Sequence, residues 1–287
     1  MGATMTDLAA APPDTSTWTT PTSLSPSRVE AFLSCPLKFR FASIERLPDL
    51  PTVATVRGSL VHRALEHLFV LPAPERTPAA LDRCTDLAIS EFRDDPDYAL
   101  LALDDEQASQ FERECRELCT NYLALEDPRQ VREIGLELRL EAPVGDLTLR
   151  GIIDRLELDD AGELVVTDYK TGRAPSPNWE RKSLSGVHFY SFLCESVFGK
   201  RPAAIRLMYL KSGEIITATP TAQSTRFLTT RTSAVWKAIS TACDRDDFRP
   251  RPSTLCNWCA YQRWCPEFGG DPALAASEAP VVLTGRG

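Results

Sequence analysis

Asp168-Tyr169-Lys170, at the end of the apolar run Leu164-Val165-Val166, sets a carboxylate and an ammonium two positions apart. Successive side chains of a strand alternate between faces, so Asp168 and Lys170 project into one site. A carboxylate there can hold a hard divalent cation, while the neighbouring ammonium steers or deprotonates an attacking water. Fourteen residues upstream, Gly151-Ile152-Ile153-Asp154 ends another apolar strand in a second carboxylate. Two carboxylates and one lysine on adjacent strands could clamp a phosphodiester and its nucleophile.

A second constellation is built from thiols. Cys256, Cys259 and Cys265-Pro266 lie close together near the C-terminus, and Cys35-Pro36 offers a fourth thiol far upstream. Four thiolates suit either an iron-sulfur cluster or a structural zinc. Trp258, Tyr261 and Trp264 are expected to screen such a centre from water, and the two Cys-Pro steps tilt the choice towards iron-sulfur. The remaining cysteines, Cys84, Cys115, Cys119, Cys194 and Cys243, read as core or helix-face residues. Nine cysteines, an odd number, argue for metal ligands and free thiols rather than a disulfide framework.

The elements that must position these groups follow from periodicity. Ser25-Pro26 starts a helix that carries Val29, Phe32 and Leu33 and is interrupted at Cys35-Pro36. A second helix is expected from about Ser59 to Leu71, with His62 and Glu66 one turn apart. Helical patterns at about Pro78 to Phe92 and Glu106 to Leu125 form an inserted module over about 75–127. Three extended segments follow, around Val131 to Leu140, Leu147 to Asp154 and Leu164 to Tyr169, as an antiparallel meander. A helix near Leu184 to Phe198, a strand pair around Ile205 to Thr217 and a helix from about Ala222 to Cys243 complete the pattern. Residues 1–22 and 269–287 are expected to be disordered.

Composition excludes some classes. No apolar stretch is long enough to span a bilayer, and the polar N-terminus lacks the basic and apolar regions of a secretory signal, so a cytoplasmic protein is expected. No phosphate-binding Gly-rich loop ends in Gly-Lys-Ser/Thr, which argues against an intrinsic NTP-driven motor. The formal charge of −8 runs against a nucleic-acid partner until its distribution is considered. Between Asp82 and Glu126 thirteen acidic residues face four basic ones, whereas between Arg173 and Lys211 seven basic residues face two acidic ones.

In order along the chain, Ser25-Pro26-Ser27 with Cys35-Pro36, Gly58-Ser59-Leu60-Val61-His62, Gly151-Ile152-Ile153-Asp154-Arg155, Asp168-Tyr169-Lys170-Thr171-Gly172 and the cysteines at 256, 259 and 265 resemble the RecB-family exonucleases. That family is a branch of the PD-(D/E)XK superfamily that includes the AddB nuclease domain and CRISPR-adaptation nucleases with iron-sulfur clusters. The resemblance implies an α/β fold: a restriction-endonuclease-like αβββαβ core over residues 23–268, with a helical insert and a four-cysteine iron-sulfur clasp. It implies that His62, Asp154 and Asp168 bind Mg²⁺ or Mn²⁺, with the Tyr169 carbonyl as a further ligand, and that Lys170 positions and activates water. Cys35, Cys256, Cys259 and Cys265 would hold a 4Fe-4S cluster, with structural zinc as the alternative. Tyr190, Glu66 and Glu137 are candidates for substrate positioning or outer roles. One departure stands out: many relatives carry Gln four residues before this Tyr, where this chain has Gly186. The implied activity is metal-dependent DNA cleavage in recombination and repair, with DNA and a helicase or recombination complex as partners. The alternative is a weakened nuclease fold that holds DNA ends or a helicase without cutting.

Overall fold

The computed structural model describes residues 18–176 and 187–284. A short strand β1 (Ser23–Leu24) leads into helix α1 (Pro26–Ser34), and Ser25 caps it by accepting from the Arg28 amide at 3.3 Å. Pro36 opens α2 (Pro36–Phe39), so Cys35 sits in the extended joint between two helices. Helix α3 (Val53–Val70) begins earlier than the periodicity predicts, because Thr52 and Thr55 form a reciprocal cap that the apolar pattern does not reveal.

The predicted insert holds α4 (Pro78–Arg93), α5 (Pro96–Leu100) and α6 (Asp105–Tyr122). Leu81, Ile89, Phe111 and Leu118 of this module pack with Leu65 and Leu68 of α3 in one buried cluster. The meander follows as β2 (Arg132–Val144), β3 (Leu147–Leu158) and β4 (Leu164–Lys170), all antiparallel. Helix α7 (Val187–Phe198) precedes β5 (Ala204–Tyr209), which pairs parallel to β4, as a helical crossover requires. Strand β6 (Glu214–Ala218) closes that edge, and α8 (Ala222–Arg245) covers the sheet together with α1 and α7.

The six strands of the described residues form one sheet with a core on each face. Side chains of β2 and β3 do not stay loyal to one core. Leu138 and Ile153 are paired and belong to the α1/α7/α8 layer, whereas Leu136 and its partner Arg155 turn towards the helical module. Strict alternation would keep residues two apart on one face. The switch falls between them, at Glu137 and Asp154, and Glu137 has φ +43. A positive φ in a non-glycine strand residue is strained, and such strain collects at functional sites.

The C-terminal segment expected as a disordered tail is ordered through residue 284. Pro272–Leu274 forms a helical turn and Ala275–Thr284 forms α9, held by Ala275 and Ala279 in the core and by the Trp264 indole, which donates to Glu278 at 2.9 Å. At the other end, residues 18–22 are anchored by Trp18, which donates to Asp246 at 2.6 Å, and by the Pro21 carbonyl, which accepts from Trp236. Residues 1–17 and 285–287 lie outside the described residues.

Candidate active site

Strands β3 and β4 pair from Leu158/Leu164 to Arg155/Thr167 and then part. At the opening, the Tyr169 amide donates to Asp154 Oδ2 at 2.7 Å, so a side chain continues where the ladder stops. His62 reaches the same opening from α3. One ring nitrogen, Nε2, meets the Tyr169 carbonyl at 3.0 Å, and Nδ1 lies 3.5 Å from Asp154 Oδ2. Ligand atoms of His62, Glu137 and Asp154 all lie within 4.8 Å of one another. One imidazole and two carboxylates at that spacing can hold a divalent cation.

The electrostatics describe a site short of positive charge. Burial and repulsion from Asp168 push the Asp154 carboxyl up to about 8, against the Tyr169 amide and Lys170. Burial and Asp154 raise Glu137 as well. Burial lowers His62 and outweighs the attraction of Asp168 and Glu137, which favours the neutral imidazole that a metal requires.

Asp168 stands beside this trio. Its Oδ1 accepts from the Tyr190 hydroxyl at 2.9 Å, and the Lys170 ammonium forms an ion pair with Oδ2, which takes no hydrogen bond among the described residues. Burial works to lower the Lys170 ammonium, but Asp168 prevails and raises it. Lys170 is therefore held as a cation, which favours steering over proton abstraction. Tyr190 reaches Asp168 because α7 lies close over Gly151, where a Cβ would come 2.8 Å from Leu193 Cδ1. We expect Gly151→Ala to lower stability by about 1–3 kcal/mol through overpacking and to shift Tyr190 off Asp168; unchanged melting and an unperturbed Tyr190 would show that α7 has slack.

A buried network braces both strands from behind. Arg155, fully inaccessible, donates to Glu157 at 2.5 Å, to Glu126 at 2.5 and 3.1 Å, to the Tyr169 hydroxyl at 2.7 Å and to Thr167 at 3.3 Å. Its guanidinium lies 4.5 Å from the ring centre of Phe69 on α3, the helix that carries His62. Residues adjacent to Asp154 and Asp168 are thus tied to the helical module.

The profile of the PD-(D/E)XK nuclease superfamily matches residues 23–266. The chain belongs to that superfamily. No curated protein matches the sequence. Among solved structures, a Eubacterium rectale protein provisionally described as an exonuclease has a similar fold at 10% identity, with a TM-score of 0.53 over 84% of this chain and 88% of that one. A structure described as SSO0001 shares 14% identity over 86% of each chain, with a TM-score of 0.39.

Within this PD-(D/E)XK chain, His62, Asp154, Asp168, Lys170 and Tyr190 converge, and Glu137 lies beside His62 and Asp154. A strained φ is invisible in sequence, so nothing marked Glu137 out beyond its place on the preceding strand. Glu66 is engaged by Arg63 at 2.8 Å and touches the site through its repulsion of Glu137. The Tyr169 carbonyl faces His62. Gly186 lies outside the described residues.

Cys35, Cys256, Cys259 and Cys265 lie near enough to influence one another electrostatically. Burial raises Cys259 and Cys265, and Cys35 and Cys256 push both further. Backbone amides of Ser253, Tyr261 and Glu267 point at the sulfurs of Cys256, Cys259 and Cys265. Of the three aromatics between these cysteines, Tyr261 and Trp264 are buried, and the Tyr261 hydroxyl donates to the Leu47 carbonyl at 3.2 Å, whereas Trp258, at the end of a one-turn helix, is 78% exposed. Cys115 and Cys119 are buried in the helical module, where burial raises both thiols.

Proposed function

We propose that this chain is a divalent-metal-dependent nuclease that hydrolyses phosphodiester bonds of DNA, acting as an exonuclease or end-processing enzyme in recombination and repair. The convergence of His62, Glu137 and Asp154 beside the Asp168–Lys170 pair carries the reading. The donor set suits Mg²⁺ or Mn²⁺: two carboxylates that resist ionising beside each other need a cation to relieve them. When bound, such an ion supplies Lewis-acid polarisation of the phosphate and a more acidic water.

The chain's own side chains do the remainder. His62 is oriented by the Tyr169 carbonyl, the kind of outer contact that fixes a ligand ring. Asp168 is held from both oxygens, by Tyr190 and Lys170. The Lys170 ammonium, 43% exposed, offers N–H donors to a scissile phosphate oxygen or the attacking water and offsets the charge that develops there. End-labelled DNA incubated with Mg²⁺ or Mn²⁺, and with EDTA as control, tests the reading. Cleavage that EDTA abolishes is expected, and intact DNA with both metals would replace the enzyme by a DNA-holding module.

The four cysteines are read as ligands of a 4Fe-4S cluster, with structural zinc as the competitor. Their free state and the amides aimed at three sulfurs agree with thiolate ligation. Cys259→Ser should lower iron content and loosen the N- and C-terminal segments together, since ligation energy is coupled to folding. Stoichiometric zinc without sulfide in anaerobically isolated protein would install zinc instead.

With no phosphate-binding Gly-rich loop in the sequence, strand separation would come from a helicase or recombination complex. No helix of the described residues is long and apolar enough to cross a membrane. Nine unbridged cysteines fit a reducing, cytoplasmic setting.

A further inference from the structure

A cleft of about 940 Å³ opens onto Asp168, Lys170 and Tyr190 and extends across β2 and β3 to Ser25 and Ser27 at the start of α1. Its middle is a ladder of cross-strand pairs in register with the metal-type trio. Glu137 and Asp154 occupy the kink, Arg139 pairs with Ile152 one step away, and Glu141 pairs with Arg150 one step further. Each step is two residues, about 6.7 Å along a strand. We propose that this ladder is the track for one unstacked nucleic-acid strand, with Arg139 as its principal phosphate contact next to the reacting end, Arg150 as the next, and Ile152 as the apolar surface between them. The proposal rests on the nuclease reading and adds how the substrate lies.

Volume favours a single strand, since about 300–1,000 Å³ is the range that encloses small ligands, enough for a few nucleotides and too little for a duplex.

Charge favours Arg139. It is exposed and forms no ion pair among the described residues, although β2 carries a glutamate on either side of it, two positions away. Arg150 is held by Glu141 at 2.8 Å, but both partners are more than half exposed, and such surface pairs exchange readily for a better anion. Positive charge continues beyond the ladder: Arg28 is lowered by burial and then by repulsion from Arg46 and Arg150. Ile152, 44% exposed amid charged neighbours, gives an unstacked base an apolar face.

The test is fluorescence anisotropy with a short 5′-fluorescein-labelled oligothymidylate in EDTA, over a range of NaCl concentrations. The single strand is expected to bind about tenfold tighter than a blunt duplex of the same length. Arg139→Ala should weaken binding about fivefold and reduce the salt slope by about one; Arg139→Lys should restore the slope. Arg93→Ala, on the helical module, serves as the control with unchanged affinity. Arg139→Ala with wild-type affinity and slope, duplex bound as tightly as single strand, or no binding at all would overturn the track. Binding in EDTA is read without cleavage, so a protein that binds as described but cuts nothing refutes the nuclease reading alone. Cleavage with an Arg139→Ala variant that binds normally refutes the track alone.

Discussion

Asp154→Asn is expected to reduce metal-dependent cleavage by about 10³-fold while raising the melting temperature of the metal-free protein. Asp154 is buried and faces Asp168, which is why its carboxyl is pushed up to about 8. An amide keeps the shape, can still accept from the Tyr169 amide, and removes the repulsion. A gain of about 1 kcal/mol would appear as roughly 2–4 °C in a domain of this size. The pH dependence has a definite sign. A carboxyl raised above its usual value near 3.9 contributes stability that is complete below that pH and is lost as pH rises through about 8. The metal-free wild type should therefore weaken across that window, and added Mg²⁺ or Mn²⁺ should restore more stability at the alkaline end. Thermal melts at about pH 6 and about pH 9, with and without metal, measure this. A flat profile, or an Asn variant that still cuts, would remove Asp154 from the ligand set.

Lys170→Ala is expected to lose about 10²-fold to 10³-fold in cleavage, the scale of losing one preorganised donor, with DNA binding largely retained. Asp168 raises the Lys170 ammonium, so the charge persists throughout the neutral range. The pH profile of the wild-type rate should then show no inflection from lysine across the neutral range. Single-turnover rates against pH for wild type and Lys170→Ala decide it. An unchanged mutant rate would take Lys170 out of the chemistry.

Much of the site is legible from spacing. Asp168 and Lys170 sit two apart on a β-strand, so alternation alone puts them on one face, whereas His62 and Tyr190 sit on the helices that flank the meander and are singled out only by the family resemblance. Glu137 could not be placed that way, because its role depends on a positive φ where two strands exchange faces, and alternation assumes no exchange. The same break carries Arg155 into the interior, where it is fully buried and its charge is balanced by Glu126, contributed from the end of the helical insert, a contact with no local signal in the sequence. The helix over 275–284 was hidden for a related reason, since small residues and an internal proline read as linker until Trp264 and Glu278 join them to the core.

The exchange of faces at Glu137 and Asp154 also bears on how the protein comes apart. β2 and β3 stay paired across the exchange, with Leu136 and Arg155 turned to the helical module and Leu138 and Ile153 to the other layer, so neither layer can open without disturbing the ladder that both share. The insert, although it looks like a separate bundle, should not melt as an independent unit. Amides of Leu136 and Arg155 on one side of the kink, and of Leu138 and Ile153 on the other, should exchange with solvent at a common free energy, that of global unfolding.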